Sequence, residues 1–224
     1  DPVMPISNPY AHYDASNSST ITESGGYVSQ WNDISGNGYN LVQSTGARQP
    51  SVVSGGQNGL NTLEFYSGRN MDTGSATGTL TRSITISCAW KIPINDGVQH
   101  FGWSEFDNPP TFAKHDEVNK FSVAFGITTE HAVSSAYIGT WRNVTMLALA
   151  SGTMNLRVGD VLSFTGSCSG SFDPFCVGCH GGMKTDTSSM WNEEIGEIVV
   201  FDRELDSTEL TELNDYYVSK WATP

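Results

Sequence analysis

The chain has 224 residues, with 24 acidic against 11 basic side chains and a net charge of −13. That field opposes nucleic-acid phosphate and anionic lipid headgroups, so nucleic acid is excluded as a partner. No run of about 18 apolar residues occurs, so no membrane-inserting helix is expected.

The opening "DPVMPISNPYAHYD" lacks the basic and apolar regions of a secretion signal, and a start on aspartate reads as a processed or excerpted piece. Four cysteines, abundant Ser, Thr and Gly, and only 16% charged residues suit an extracellular, cell-surface or virion-surface setting. The strongly acidic balance favours solubility.

In chain order, the first local feature is "WNDISGNGYN". Trp31 can anchor in a core while Gly36 and Gly38 tolerate positive φ and Asp33 or Asn37 bonds the turn backbone. Then come "NTLEF", "SITISCAWKI", "VQHFGW", "KFSVAFGI", "SAYIGTW", "NVTMLALA", "MNLRVGDVLSF" and "IGEIVVFD", short apolar or alternating runs separated by Gly, Asn, Ser and Asp clusters. Their β-branched and aromatic content and close spacing predict the strands of an all-β sandwich. Asn17-Ser-Ser and Asn143-Val-Thr match the N-glycosylation pattern.

The last segment, "DSTELTELNDYYVSKW", breaks the pattern by placing Leu210, Leu213, Tyr217 and Trp221 at helical spacing, behind Asp206 with Glu209 three residues on. That is a capping box, and it predicts a short C-terminal helix over about 207–221 that closes an edge or end of the sandwich. No linker divides the chain, so one domain over 1–224 is expected.

The stretch from "AHYDASNSSTITESGGYVSQWNDISGNGYN" to "GARQPSVV", and "WNEEIGEIVVFDRELDSTELTELNDYYVSKW" at the end, resemble laminin G-like, concanavalin A-like jelly-roll domains of bacterial and phage surface proteins. With "LNTLEF" and "SITISCAWKI" they cover about two thirds of the chain. The resemblance implies a jelly-roll sandwich used for binding glycans or proteins, for adhesion, or beside a catalytic domain, often with calcium. It does not choose among these.

The run "DPFCVGCHGG" carries the Cys176-x-x-Cys179-His180 spacing of a covalently attached haem. In a jelly roll this run is an extended late strand, and a closed sandwich offers no haem pocket, so no haem is expected. A Cys3His zinc set of Cys168, Cys176, Cys179 and His180 is disfavoured, because Cys176 and Cys179 face opposite sides unless Val177-Gly178 turns. The same alternation separates their Cα atoms by roughly 10 Å and argues against a bond between them. The preferred pairing joins Cys168 to Cys176 and Cys88 to Cys179, with free buried thiols as the alternative.

Concanavalin A-like sandwiches also carry glycosidases, and "WNEEIGEIV" offers Glu193 and Glu197 at i and i+4. Ile195 stands where the helper Asp of that enzyme group belongs, and no catalytic residue is assigned. The scattered histidines lack a Gly-x-Ser-x-Gly elbow.

Recognition is expected instead in "FGWSEFDNPPTFAKHDEVNKF", where Trp103 can stack on sugar faces and Glu105, Asp107 and Asn108 can bond hydroxyls. Asp107 and Asp116 are the candidate calcium ligands. Trp141 and Arg142 form a second candidate surface. Trp31, Trp90, Trp191 and Trp221 read as core residues.

The expected function is therefore a non-catalytic surface or adhesion module that recognises a glycan or surface protein. The alternative is a structural decoration or fibre protein of a phage virion, contacting capsid or fibre subunits. A glycoside hydrolase or lyase is the third reading.

Overall fold

A computed structural model describes residues 2–66, 68–74, 80, 83–91, 99–102, 111–115, 121–124, 128–131, 137, 139–167, 176–178 and 193–224; for the strands between 99 and 131 it describes the backbone alone. The strands are β1 (Ala11–Asp14), β2 (Ile21–Ser24), β3 (Tyr27–Trp31), β4 (Leu41–Val42), β5 (Ser51–Gln57), β6 (Leu60–Phe65), β7 (Met71–Asp72), β8 (Ile84–Lys91), β9 (Gln99–Gly102), β10 (Thr111–His115), β11 (Phe121–Ala124), β12 (Thr128–His131), β13 (Trp141–Ala148), β14 (Thr153–Val158), β15 (Val161–Ser167), β16 (Cys176–Val177) and β17 (Glu193–Phe201). One helix, α1 (Ser207–Trp221), follows them.

The main ladder runs β15-β14-β13-β8-β17-β6-β5-β3-β4-β7-β16, with β1 added to β17 and β2 to β3, while β9 to β12 form a separate four-stranded antiparallel sheet. The main ladder folds over on itself, because side chains from both of its halves meet in one core: Trp31, Leu41, Leu63 and Met71 pack with Ile86, Val144, Leu156 and Ile198. The molecule is an all-β jelly-roll sandwich with a short C-terminal helix. Among the described residues no helix is long and apolar enough to cross a membrane.

The opening turn forms as its residues dictate. Trp31 is fully buried, Gly36 and Gly38 take φ of 95° and 79°, and Asp33 accepts bonds from the backbone N–H groups of His12, Ser35 and Tyr39. Short polar side chains and φ-permissive glycines let a tight turn satisfy its own backbone.

Strands β8 and β17 are buried along almost their whole length, without the in–out alternation of a half-exposed strand. The reason is that both faces are covered. Cys88, Trp90, Ile195, Ile198 and Val200 point into the sandwich, whereas Ala89, Val199 and Phe201 meet Leu213, Tyr217 and Trp221 of α1 in a second cluster on the outer face.

Helix α1 starts where its sequence predicts. The Asp206 side chain accepts from the N–H groups of Thr208 and Glu209, and the Glu209 carboxylate accepts from the Asp206 N–H. Arg203 adds a two-pronged pair to Glu209. Asp206→Ala should cost about 1 kcal/mol, read as a lower urea midpoint with an unchanged slope; no shift would mean that packing alone fixes the helix start.

Candidate functional site

Two buried carboxylates on β17 define the polar interior. The register of β17 against β8 shifts between Ile195 and Glu197, so Gly196 is an extra residue. It resets the alternation: Ile195 and Ile198, three apart, both enter the sandwich core, and Glu197 lies on the outer face under α1. Glu193 lies on the inner side with Ile195, beside Trp90 and Cys88. The bulge thus places Glu193 and Glu197 on opposite faces, and a retaining glycosidase needs its two carboxyls about 5 Å apart on one cleft. Sequence spacing of i and i+4 suggested a shared face, which holds only for an unbroken strand.

The bulge is also where β17 changes partners. Its first residues, Glu193 to Ile195, pair with β6, and from Glu197 onward the same edge pairs with β1. Gly196 must be glycine, because a Cβ there would lie 2.7 Å from the Trp221 ring.

Glu197 is fully buried and fully bonded. Oε1 accepts from His12 Nε2 at 2.6 Å and the Tyr216 hydroxyl at 2.8 Å, and Oε2 accepts from Lys220 Nζ at 3.0 Å and Trp221 Nε1 at 2.7 Å. Lys220, 4% exposed, donates further to Asp14 Oδ2 at 2.6 Å and to the Tyr216 hydroxyl at 3.0 Å. Burial raises the Glu197 pKa, but the His12 bond, the Lys220 charge and the Trp221 bond together hold it below the usual glutamate value. A carboxylate held in its ionised form by four donors is a fastening between β1, β17 and α1.

Glu193 is the opposite case. Burial pushes its pKa up to about 8, against a smaller opposing effect of a hydrogen bond from Trp90. Beside it, Cys88 is a free, fully buried thiol whose pKa burial raises, with the Glu193 charge adding to the shift. The expected bond from Cys88 to Cys179 is therefore not formed: β8 carries Cys88 into the sandwich core as a small apolar residue. Cys176 is disulfide-bonded, and its partner lies outside the described residues, as do Cys168 and Cys179. Gly178 has φ of 73°, so the chain turns directly after β16. The alternation argument separating Cys176 from Cys179 therefore stops at Val177.

Trp103, Glu105, Asp107, Asn108 and Asp116 lie outside the described residues. Among the described residues no group of three or more His, Cys, Asp or Glu side chains is placed to hold a metal ion. Trp141 is 8% exposed and stacks on Trp221 at 6.3 Å, so its ring belongs to the helix contact and is not presented to a ligand. Arg142 is half-buried and lies 5.0 Å over the Tyr137 ring. The sequon at Asn143 is equally enclosed: Asn143 is 2% exposed and bonds Asn214 of α1.

The exposed outer face holds side chains that sequence reading passed over. Tyr27 and Tyr66 are 44% and 48% exposed, and the Arg69 guanidinium lies 5.0 Å over the Tyr27 ring while bonding Ser51 Oγ at 2.6 Å. Tyr27, Ser51 and Arg69 are scattered in sequence, and the pairing of β3 with β5 gathers them. An open groove of about 690 Å³ lies nearby, lined by Ser18, Ile21, Thr22, Glu23, Val52 and Asn61.

The strand order and the shared core define a β-sandwich of the jelly-roll class. Among solved structures the chain is similar to the binding domain of Paraclostridial Mosquitocidal Protein 1, at 16% identity and TM-score 0.68 over 97% of this chain and 55% of that one. It is similar to a GH54 α-L-arabinofuranosidase at 12% identity and TM-score 0.67, over 98% of this chain and 60% of that one. It is also similar to the receptor binding domain of botulinum neurotoxin type G at 15% identity and TM-score 0.59, over 97% and 54% of the two chains. The chain thus spans little more than half of each, and at these identities the likeness is one of fold. No family model and no curated protein matches the sequence.

Proposed function

We propose that the chain is a non-catalytic recognition module that binds a glycan or protein partner in an extracellular or cell-surface setting, within the laminin G-like group its sequence resembles. The observation that carries the reading is a contrast between its two faces. The two carboxylates whose spacing suggested a glycosidase pair, Glu193 and Glu197, are buried on opposite sides of β17, whereas the outer face displays the half-exposed Tyr27 with the Arg69 guanidinium fixed over its ring. Aromatic faces with oriented polar groups suit sugar recognition. Binding domains with this fold, in the mosquitocidal protein and the neurotoxin, support the reading by analogy.

The segment with Trp103, Glu105, Asp107 and Asn108 is proposed as a further contact region, with calcium held by Asp107 and Asp116. The test is a glycan array probed with the folded chain, with calcium and then with chelator, alongside Trp103→Ala. Saturable binding is expected, weakened in the variant and by the chelator. Silence of the folded wild-type chain under both conditions would overturn glycan recognition.

A further inference from the structure

We infer that Arg69, stacked on the half-exposed Tyr27 on the outer face of the sandwich, is a binding site for the carboxylate of an acidic sugar. The inference rests on the glycan-binding reading and names the ligand class.

The site is built by register. Tyr27 of β3 pairs with Ser51 of β5, and Ser51 pairs with Glu64 of β6. Arg69, in the turn after β6, folds back over this row: Nη1 donates to Ser51 Oγ at 2.6 Å, and the guanidinium stacks on Tyr27. The Arg69 backbone N–H donates to the Tyr66 carbonyl at 3.3 Å, which ties Arg69 to the end of β6.

The charge balance is what points to a ligand. The Ser51 hydroxyl accepts from Arg69 and donates to Glu64 Oε2 at 3.1 Å, so it stands between the cation and the Glu64 carboxylate. Lys91, Arg203 and Lys220 are each matched to carboxylates. Arg69, like Arg142 and Arg157, has no ion pair among the described residues, on a chain of net charge −13; of these three, Arg69 is the one that bonds another side chain and stacks on a ring 44% exposed.

A guanidinium anchored by one nitrogen and stacked on a ring keeps other N–H donors in the planar fork that fits a carboxylate, and it has less rotamer freedom left to lose on binding. The half-exposed Tyr27 offers an apolar edge to sugar C–H groups and a phenol group to hydroxyls. A neutral sugar would leave the cation unused, and an extended polyanion would meet the acidic remainder of the surface. A sugar bearing a single carboxylate satisfies both halves of the site.

The test is calorimetric titration with a trisaccharide ending in N-acetylneuraminate, a disaccharide ending in glucuronate, and lactose as the neutral control. The variants are Arg69→Gln, Arg69→Lys and Ser51→Ala. At least one acidic ligand should bind about tenfold or more tightly than lactose. Arg69→Gln should remove that margin, Arg69→Lys should keep part of it, and Ser51→Ala, which frees the guanidinium but keeps its charge, should weaken it several-fold. Which acid binds distinguishes a sialic acid from a uronic acid.

Wild-type binding that ignores the carboxylate, or acidic-ligand affinity unchanged in Arg69→Gln and Ser51→Ala, would overturn the inference and leave glycan recognition standing. A folded chain that retains no glycan on the array would overturn both.

Discussion

Lys220→Met is expected to destabilise the protein by about 3–5 kcal/mol, read as a lower urea midpoint at pH 7. The side chain is 4% exposed and bonds Glu197, Asp14 and the Tyr216 hydroxyl, so truncating the charge leaves Glu197 ionised in the interior with its cation gone. Breaking one half of a buried pair costs more than the pair is worth, because the orphaned charge keeps its desolvation penalty. Lys220→Met combined with Glu197→Gln should therefore recover much of the loss. Equal stability of Lys220→Met and wild type would show that the network contributes nothing.

The network also sets an acid limit. The Glu197 pKa is lower in the folded chain than in the unfolded one. Its contribution is therefore complete above the ordinary glutamate pKa of about 4.3 and is lost as pH falls through the lower folded value.

Glu193→Gln is expected to act with the opposite sign. The folded pKa is about 8 because the carboxyl is buried, against about 4.3 unfolded. Below the unfolded value both states are protonated and nothing is lost. Between the two values the unfolded chain releases a proton that the folded one keeps, so stability falls as pH rises, and above the folded value the full penalty of about 3–5 kcal/mol is present. Urea unfolding at pH 6 and pH 9 should show wild type losing about 2–3 kcal/mol more than Glu193→Gln across that interval. Parallel curves for the two proteins would mean that Glu193 is ionised in the folded state throughout.

Much of the fold was legible because it is written in local chemistry. The Asp206-to-Glu209 box, the Leu213, Tyr217 and Trp221 stripe and the glycines of the Asp33 turn each act within a few residues. What escaped reading depends on register. The bulge at Gly196 leaves no mark in composition, yet it decides that Glu193 and Glu197 face apart. Lys220 sits in a helix tail where lysine ordinarily reads as a dipole-compensating surface charge, and Glu197 of β17 together with Asp14, 206 positions away, turns it inward. Cys88 read as half of a disulfide because four cysteines can be paired, and β8 instead uses it as core filling. Trp141, at the end of the "SAYIGTW" run, read with Arg142 as a second candidate surface, before the stacking of Trp221 was in view.

The carboxylate of Glu197 takes its donors from both extremes of the chain: His12 comes from the first strand, and Tyr216, Lys220 and Trp221 come from the last helix. During synthesis from the N-terminus, β17 is made before any of the helical donors exist. Until α1 has emerged, that acid can stay solvated only by keeping the outer face of β8 and β17 open to water. The order of translation therefore makes sealing of this face the closing event of maturation, and a nascent or truncated chain lacking the final helix would present Ala89, Val199 and Phe201 to the chaperones around it.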